Sequence, residues 1–181
     1  QAHEERAGPR RRRHVPAVQA MVQACKDAGD IYEGVYDGWY CVGCEAFKQE
    51  KDLVEGLCPV HQTKPDWIRE DNYFFRLSKY EGFLRRLFAE RPDFLAPESR
   101  RNEILSLIDQ GLEDISITRS RLSWAIPFPI PTSDNVPQGT WVWFDALPNY
   151  LSATGYPEKG WRERWPADVH VIGKDITRLH A

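Results

Sequence analysis

Three cysteines and one histidine in the first third of the sequence constrain its fold more than any other feature. Cys41 and Cys44 are separated by two residues, and after thirteen further residues Cys58 and His61 repeat that spacing. Each pair can form a tight turn that directs two ligand atoms at one ion, as in tetrahedral zinc sites. Four protein ligands leave no coordination position for water or a substrate. The spacing therefore predicts a structural Zn²⁺ whose binding energy helps to fold this segment.

Other interpretations of these thiols stay open from the residues alone. Disulfide bonds cannot pair all three clustered cysteines with one another, and the fourth cysteine, Cys25, lies outside the cluster. No signal peptide is visible, which argues against an oxidising compartment. A coincidental spacing or a degenerate ligand set is the remaining alternative to zinc.

Composition excludes some classes of protein. The chain has 181 residues, a net charge of -3 at pH 7 and 41% hydrophobic residues. Such a charge provides no overall basic field for binding nucleic acid, and no apolar run approaches the length of a membrane span. We expect a cytoplasmic protein with no membrane partner, built as one domain or as a small domain with an insertion.

Patterns along the chain divide it into five segments. The first is basic and ends in four consecutive arginines, so we expect a solvated, disordered tail, with an RNA-contacting arm as the alternative. The second has apolar residues at spacings of three and four, which predict a helix from Val15 to a cap at Gly29. The segments are 1–13 (tail), 14–32 (helix), 33–70 (zinc-binding), 71–111 (mainly helical) and 112–181 (alternating strands and helices).

Two segments carry further local predictions. Residues 31–40 are typical of short strands joined by a turn at Asp37 and Gly38. Residues 72–77 form an aromatic run of strand character, and two helices follow, one from Ser78 to about Pro92 and one from about Pro97 to Gly111.

The last segment contains three predicted strands. The first is a half-buried strand that ends at Arg119. The second, 141–144, is almost wholly apolar, as expected of a strand covered on both faces, and turns at Asp145 into a short helix. The third, 169–172, leads through Gly173 into another helix.

The two strand-to-helix junctions of this last segment form a candidate binding site. In open α/β sheets, ligands bind beyond the carboxyl ends of the strands, next to helix N-termini. Gly173 would allow close approach of a ligand, and Asp175 could accept a hydrogen bond from an ammonium or a ribose hydroxyl. Trp143 and Tyr150 could close an aromatic pocket. For any one of these residues considered alone, an ordinary surface or core role is the simpler explanation.

Several motifs together resemble the methionyl-tRNA synthetase family. They keep the family's order from about residue 15 to the end of the chain. They comprise Tyr-Cys-Val-Gly-Cys-Glu (40–45), Leu-Cys-Pro-Val-His (57–61), Asn-Tyr-Phe-Phe (72–75), Asp-Ile-Ser-Ile-Thr-Arg (114–119), Trp-Val-Trp-Phe-Asp-Ala-Leu-Pro-Asn-Tyr (141–150) and Val-Ile-Gly-Lys-Asp-Ile (171–176) with His180. The resemblance implies a class I aminoacyl-tRNA synthetase. Its fold would be a partial doubly wound, Rossmann-like α/β nucleotide-binding fold, interrupted by a connective insertion that carries the zinc site.

The resemblance also implies an activity and roles for residues. The enzyme would activate methionine with ATP and Mg²⁺ to methionyl-adenylate and then transfer the methionyl group to tRNA. Arg119 would lie near the ATP phosphates, and Gly173 and Asp175 would contact the adenylate's ribose and the amino-acid amine, with Arg119 and Asp175 as the catalytic residues. The implied methionine pocket consists of Trp143, Leu147, Tyr150, Ile176 and His180.

The sequence also departs from the family pattern. It shows no HIGH-type motif before the insertion and no KMSKS-type lysine loop, and Ala125 stands where the related pattern has glycine. We therefore expect the chain alone to be inactive, with the missing halves of the catalytic domain as partners. Two alternatives stay open: a stand-alone zinc-binding module that interacts with RNA, and a synthetase-like paralogue that activates methionine or an analogue outside translation.

Overall fold

The computed structural model describes residues 9–44, 46–120 and 124–181. Its α-helices are α1 (Pro9–Asp27), α2 (Glu81–Glu90), α3 (Glu98–Asp109), α4 (Val142–Ala146), α5 (Asn149–Thr154) and α6 (Thr177–His180). Its strands are β1 (Ile31–Cys41), β2 (Ala46–Lys48), β3 (Asp66–Phe75), β4 (Ile115–Ser116), β5 (Thr118–Arg119) and β6 (Gly139–Thr140). Short 3-10 helices cover Glu50–Asp52, Leu77–Tyr80, Trp161–Arg164 and Lys174–Ile176.

Helix α1 confirms the predicted helix but begins earlier than expected. Residues 10–13, assigned from the sequence to a disordered tail, lie in its first turns. Proline is well suited to the first turn of a helix and arginine is a good helix former, so Pro9 and the arginines extend the helix anchored by the buried Val18 and Val22. Residues 1–8 of the predicted tail lie outside the described residues. At the other end Gly29 has φ +74°, as a helix cap requires.

One long antiparallel pair organises the zinc-binding segment. Strand β1 pairs with β3 along almost its whole length, and the four-stranded sheet has the order β2-β1-β3-β4. The predicted turn at Asp37 and Gly38 is therefore wrong, because both residues lie inside β1. The tip of the Tyr36 side chain packs over Gly38, where a Cβ atom would lie 2.8 Å from the tyrosine hydroxyl oxygen.

Two hydrophobic clusters support the sheet. The larger joins α1 to the strands and to the proline-rich segment, through Val18, Val22, Ile31, Tyr73, Ile117, Ile126 and Phe128. Cys25 packs against this cluster, as predicted for a core thiol. The smaller cluster lies between α2 and α3 and contains Phe88, Ile104 and Ile108, which confirms the two predicted helices.

The strand that ends at Arg119 is buried on both faces, not half-buried as predicted. Ser116 is 9% exposed, and Ile117 and Thr118 are fully buried. Thr118 tolerates this position because its Oγ accepts a hydrogen bond from the backbone N–H of Tyr73, at 2.9 Å. The polar side chain of Thr118 therefore forms a buried hydrogen bond and does not mark a face of the strand that is exposed to solvent.

The two apolar strands predicted near the C-terminus are not formed. Strand β6 ends at Thr140, and residues 142–146 are helical. The prediction failed because a short apolar run fits a strand and a buried helix equally well. Residues 169–172 are irregular, with Val169 and Val171 exposed by 75% and 95%. A strand needs a neighbour for its backbone hydrogen bonds, and every strand pair among the described residues is antiparallel and lies elsewhere. In the part of the chain that is described, no helix is both long and apolar enough to cross a membrane.

Candidate functional site

The four predicted metal ligands converge on one point. The Sγ atoms of Cys41, Cys44 and Cys58 and one ring nitrogen of His61 all lie within 4.8 Å of one another. His61 Nδ1 is 3.2, 3.8 and 3.9 Å from the sulfurs of Cys44, Cys41 and Cys58, and the Cys44 and Cys58 sulfurs are 3.5 Å apart. Zn–S bonds of about 2.3 Å and a Zn–N bond of about 2.0 Å in a tetrahedron separate the ligand atoms by roughly 3.5–3.8 Å. The cluster therefore fits one tetrahedral Zn²⁺.

Local backbone structure holds these ligands in place. Cys41 is the last residue of β1, where it pairs with Ala46 of β2, so the chain reverses directly after it. The second turn is closed by hydrogen bonds from Cys58 N to Thr63 O (2.9 Å) and from Gln62 N to Cys58 O (2.7 Å). These two turns bring the ligand pairs together from opposite ends of the segment.

Gly43 allows the histidine to reach the cluster. A Cβ atom at this position would lie 2.7 Å from His61 Cδ2 and 2.8 Å from His61 Cγ, well inside van der Waals contact. The imidazole therefore packs on the bare backbone of the first turn. Glycine between the two cysteines is thus a steric requirement of the ligand set, which the sequence pattern alone did not reveal.

The thiols of the cluster lie in unequal environments. Cys41 and Cys58 are buried, whereas His61 is exposed. A hydrogen bond from the backbone N–H of His61 lowers the pKa of Cys58, while burial raises the pKa of Cys44. Because a zinc-bound cysteine is a thiolate, metal binding at neutral pH must release a proton from Cys44.

A second set of functional candidates meets around Tyr150. The Tyr150 hydroxyl oxygen lies 2.9 Å from His180 Nε2, and His180 Nδ1 lies 2.9 Å from the backbone carbonyl oxygen of Ile176. A carbonyl oxygen can only accept, so Nδ1 carries a proton and Nε2 of the neutral ring accepts from the tyrosine hydroxyl. The pair therefore fixes both the ring orientation and the tautomer of His180.

Two aromatic residues that the sequence did not single out complete this cluster. His170 contacts the Tyr150 ring edge-on, with centroids 4.7 Å apart, and Trp165 lies 5.8 Å from His170. His170 lies in an irregular segment, so no periodicity could have placed it beside Tyr150, and Trp165 joins this contact through His170. We refer to Tyr150, His170, Ile176 and His180 as the Tyr150 cluster.

The other two predicted pocket residues lie on α4 and directly after it. Trp143 belongs to α4, and the N–H of Leu147 donates to the Trp143 carbonyl at 3.3 Å. Both side chains are half-buried. Across the described residues, no ring contact joins Trp143 to Tyr150 or His180. Of the five predicted pocket residues, Tyr150 and His180 are in side-chain contact. The carbonyl oxygen of Ile176 accepts from His180 Nδ1, and that of Leu147 accepts from the N–H of Tyr150 at 3.4 Å.

Arg119, which the resemblance places near the ATP phosphates, is buried in the described structure. Its guanidinium carbon lies 4.3 Å from the Phe47 ring centroid and 5.5 Å from the Trp141 ring. One terminal nitrogen donates to the carbonyl oxygens of Ser116 (3.2 Å) and Thr118 (2.6 Å). Burial lowers its pKa to about 10, so it is still charged at neutral pH. Arg119 thereby connects β2 of the zinc-binding segment to the residue that precedes α4.

Gly173 and Asp175 lie in an exposed turn. Gly173 precedes the 3-10 helix Lys174–Ile176, and the N–H of Ile176 donates to its carbonyl at 3.2 Å. A Cβ atom at Gly173 would meet only Ile176, at 3.9 Å. Packing within the described chain therefore does not explain this glycine, whereas close approach of a ligand would.

Comparison of the sequence with known protein families identifies the class of protein to which this chain belongs. The family described as tRNA synthetases class I (M) matches residues 8–65 and 50–181. The chain therefore belongs to this family of class I aminoacyl-tRNA synthetases, with an α/β fold of that class.

Curated relatives of this chain include methionine–tRNA ligases. The methionine–tRNA ligase of Thermotoga maritima is 44% identical over 177 residues, covering 93% of this chain and 27% of the relative. That of Thermosynechococcus vestitus is 49% identical over 179 residues, covering 93% and 32%. The chain thus spans about a third of the length of the curated relatives it matches.

Solved structures agree with the sequence comparison. Mycobacterium tuberculosis methionyl-tRNA synthetase in complex with methionyl-adenylate superposes with a TM-score of 0.80 at 41% identity. The match covers 92% of this chain and 33% of that structure. The predicted resemblance to methionyl-tRNA synthetases is therefore confirmed.

Proposed function

We propose that this chain forms part of a methionine–tRNA ligase. The complete enzyme would activate methionine with ATP and Mg²⁺ to methionyl-adenylate and transfer the methionyl group to tRNA during protein synthesis. The observation that carries the proposal is the similarity to methionine–tRNA ligases over 93% of the chain at 44–49% identity. None of the four cysteines, all of which lie in the described chain, forms a disulfide bond, which favours the reducing cytoplasm as its compartment.

The Tyr150 cluster supports a methionine pocket. A thioether forms only weak hydrogen bonds, so a site selects methionine by shape and by sulfur–aromatic contact. The hydrogen bond to His180 holds the Tyr150 ring in one orientation, as a shape-selective wall requires. In this proposal Trp143 and Leu147 provide the remaining apolar surface of the pocket.

Gly173, Asp175 and Arg119 are proposed to serve the adenylate. Adenylate formation requires the methionine carboxylate to be held in line with the α-phosphate while charge develops there. Gly173 would allow the ribose to approach the backbone, and the exposed Asp175 carboxylate would bind the amino-acid amine. One terminal nitrogen of Arg119 is bound to carbonyl oxygens and its guanidinium lies over aromatic rings, while its buried Nε has no hydrogen-bond partner. Direct phosphate contact would require the side chain to leave this position.

The zinc-binding cluster is proposed to be structural. Its four protein ligands would complete a tetrahedron around the ion and leave no open position for substrate. Residues 33–70 would form the connective insertion of the family, 71–111 its helical part and 112–181 the second half of the catalytic fold.

Strand β6 and residues 169–173 are proposed to join a doubly wound sheet with the rest of the catalytic domain. The exposure of Val169 and Val171 supports this proposal, because β-branched apolar residues favour a covered strand. The remainder of the domain is then a necessary partner for catalysis, and the 181-residue chain alone is inactive.

Methionine-dependent ATP–pyrophosphate exchange tests the function. We expect exchange with methionine by the complete protein that contains this chain, and none by the chain alone. Exchange by the complete protein with another amino acid and not with methionine would refute the assigned substrate. Exchange by the isolated chain would refute the requirement for a partner.

A further inference from the structure

A cleft away from both clusters has an unsatisfied acceptor in its wall. The cleft has a volume of about 460 Å³ and is lined by residues of β1, β3 and the described residues between β5 and β6. None of the predicted zinc, methionine or adenylate residues lines it. Its chemistry therefore needs a separate explanation.

The unsatisfied group is the side-chain carbonyl of Gln138. This side chain is 8% exposed, and its Nε2 donates to the backbone carbonyl oxygen of Asp71 at 3.1 Å. Because a carbonyl can only accept, that contact identifies the nitrogen of the amide. Oε1 is therefore turned away from the backbone carbonyl of Asp71. Oε1 is buried and has no hydrogen-bond partner. A buried acceptor in this state is costly unless a ligand supplies a donor.

Three carboxylates line the same cleft. The Asp71 carboxylate has no hydrogen bond or ion pair among the described residues. Glu70 accepts from Ser120 Oγ at 2.5 Å and from Asn72 Nδ2 at 3.1 Å, so each of its oxygens keeps one free lone pair. Asp134 Oδ1 accepts from the backbone N–H of Val136 at 3.0 Å. The cleft thus offers acceptors and negative charge in excess of donors.

The cationic and apolar side chains of the cleft further restrict the chemical class of ligand that it can bind. Among the described residues that line the cleft, Arg69 is the one cation, and its side chain is 73% exposed with the guanidinium 4.0 Å from Asp37. Val35 and Val136 form apolar walls and are 50% and 41% exposed. A small apolar stem with a cationic, hydrogen-bond-donating head matches these walls and acceptors.

We propose that this cleft binds a primary alkylammonium group. The ammonium would donate to Gln138 Oε1 and to the Asp71 carboxylate, and the methylene chain would lie between Val35 and Val136. Such a group is provided by a small diamine or by a lysine side chain of another protein. The site is independent of the proposed ligase function, since it shares no residue with the methionine or adenylate sites.

Calorimetric titration of the complete, zinc-loaded protein tests this site. The probes are putrescine and N-acetyl-lysine amide, with n-butanol as the uncharged analogue and MgCl₂ alone as the competing cation. We expect saturable binding of at least one ammonium probe. Loss of one charge-assisted hydrogen bond in Asp71→Asn should weaken it about tenfold or more, and Gln138→Leu should do the same. Asp66→Asn removes the same charge from an exposed position of β3 outside the cleft and should leave binding unchanged.

The outcomes separate the possible ligands. Tighter binding of putrescine assigns a free diamine, and tighter binding of the lysine derivative assigns a protein side chain; both support the proposal. Equal binding of butanol, binding of Mg²⁺ in place of the ammonium probes, or equal weakening by Asp66→Asn would overturn it. Circular dichroism of Asp71→Asn, which is nearly isosteric, shows whether a loss of binding is a loss of fold.

Discussion

Substitution of Gly43 by alanine tests whether packing of the histidine on the first turn determines zinc affinity. The new Cβ would lie 2.7 Å from His61 Cδ2, whereas ordinary carbon–carbon contacts are about 3.5–4.0 Å. The imidazole must therefore move by roughly 1 Å, which is large against the tolerance of about 0.2 Å on a zinc–ligand distance. Misplacement of a group that orients a metal ligand typically weakens metal binding about 10–100-fold. That range corresponds to about 1.4–2.7 kcal/mol.

Competition with a chromophoric chelator measures this loss, and two variants serve as controls. Val42→Ala alters an exposed neighbour, 67% accessible, and should leave zinc affinity unchanged. Gly56→Ala introduces strain at φ +77° within the same segment but meets no atom within 4 Å. It should lower stability by roughly 1 kcal/mol with little effect on zinc affinity. Wild-type zinc affinity in Gly43→Ala, or an equal loss in Gly56→Ala, would refute the steric argument.

Two further predictions concern the support of the fold. Arg119→Met removes charge-assisted hydrogen bonds to the Ser116 and Thr118 carbonyl oxygens and the cation–π contacts with Phe47 and Trp141, so it should lower the free energy of unfolding by about 2–4 kcal/mol in chemical denaturation. A loss below 1 kcal/mol would show that Arg119 does not connect the two segments. Hydrogen bonds from Lys79 and Tyr80 lower the pKa of Asp30. The ionised Asp30 carboxylate therefore stabilises the fold above about pH 4, and this stabilisation is lost as the pH falls through the lowered pKa. Asp30→Asn should therefore destabilise the protein at pH 7 more than at pH 3, and an equal loss at both values would contradict this assignment.

Features encoded within a few residues were predictable from the sequence. The metal cluster was predictable because one short turn positions each pair of ligands. Only the contact between the two turns depends on residues far apart in the sequence. Helices α2 and α3 were also predicted, since each buries an apolar face at helical spacing. Gly29 was correctly expected as a helix cap because the left-handed conformation is a local demand on the backbone.

Features that depend on distant partners were not predictable. The turn at Asp37 and Gly38 was inferred from a local dipeptide, but β1 continues because β3 provides a ten-residue partner. Residues 141–144 and 169–172 have strand composition, yet no neighbouring strand pairs with them among the described residues. The contact between His170 and Tyr150 likewise joins two segments that only the folded chain brings together.

The central claim is that the Tyr150 cluster recognises methionine in a methionine–tRNA ligase. Its most direct test is the KM for methionine in ATP–pyrophosphate exchange, measured for the complete protein and its Tyr150→Phe variant. Loss of the hydrogen bond to His180 should raise KM about fivefold or more, as removal of about 1 kcal/mol of binding energy requires. The KM for ATP should stay unchanged. An unaltered KM for methionine, or an equal rise in both constants, would contradict the account.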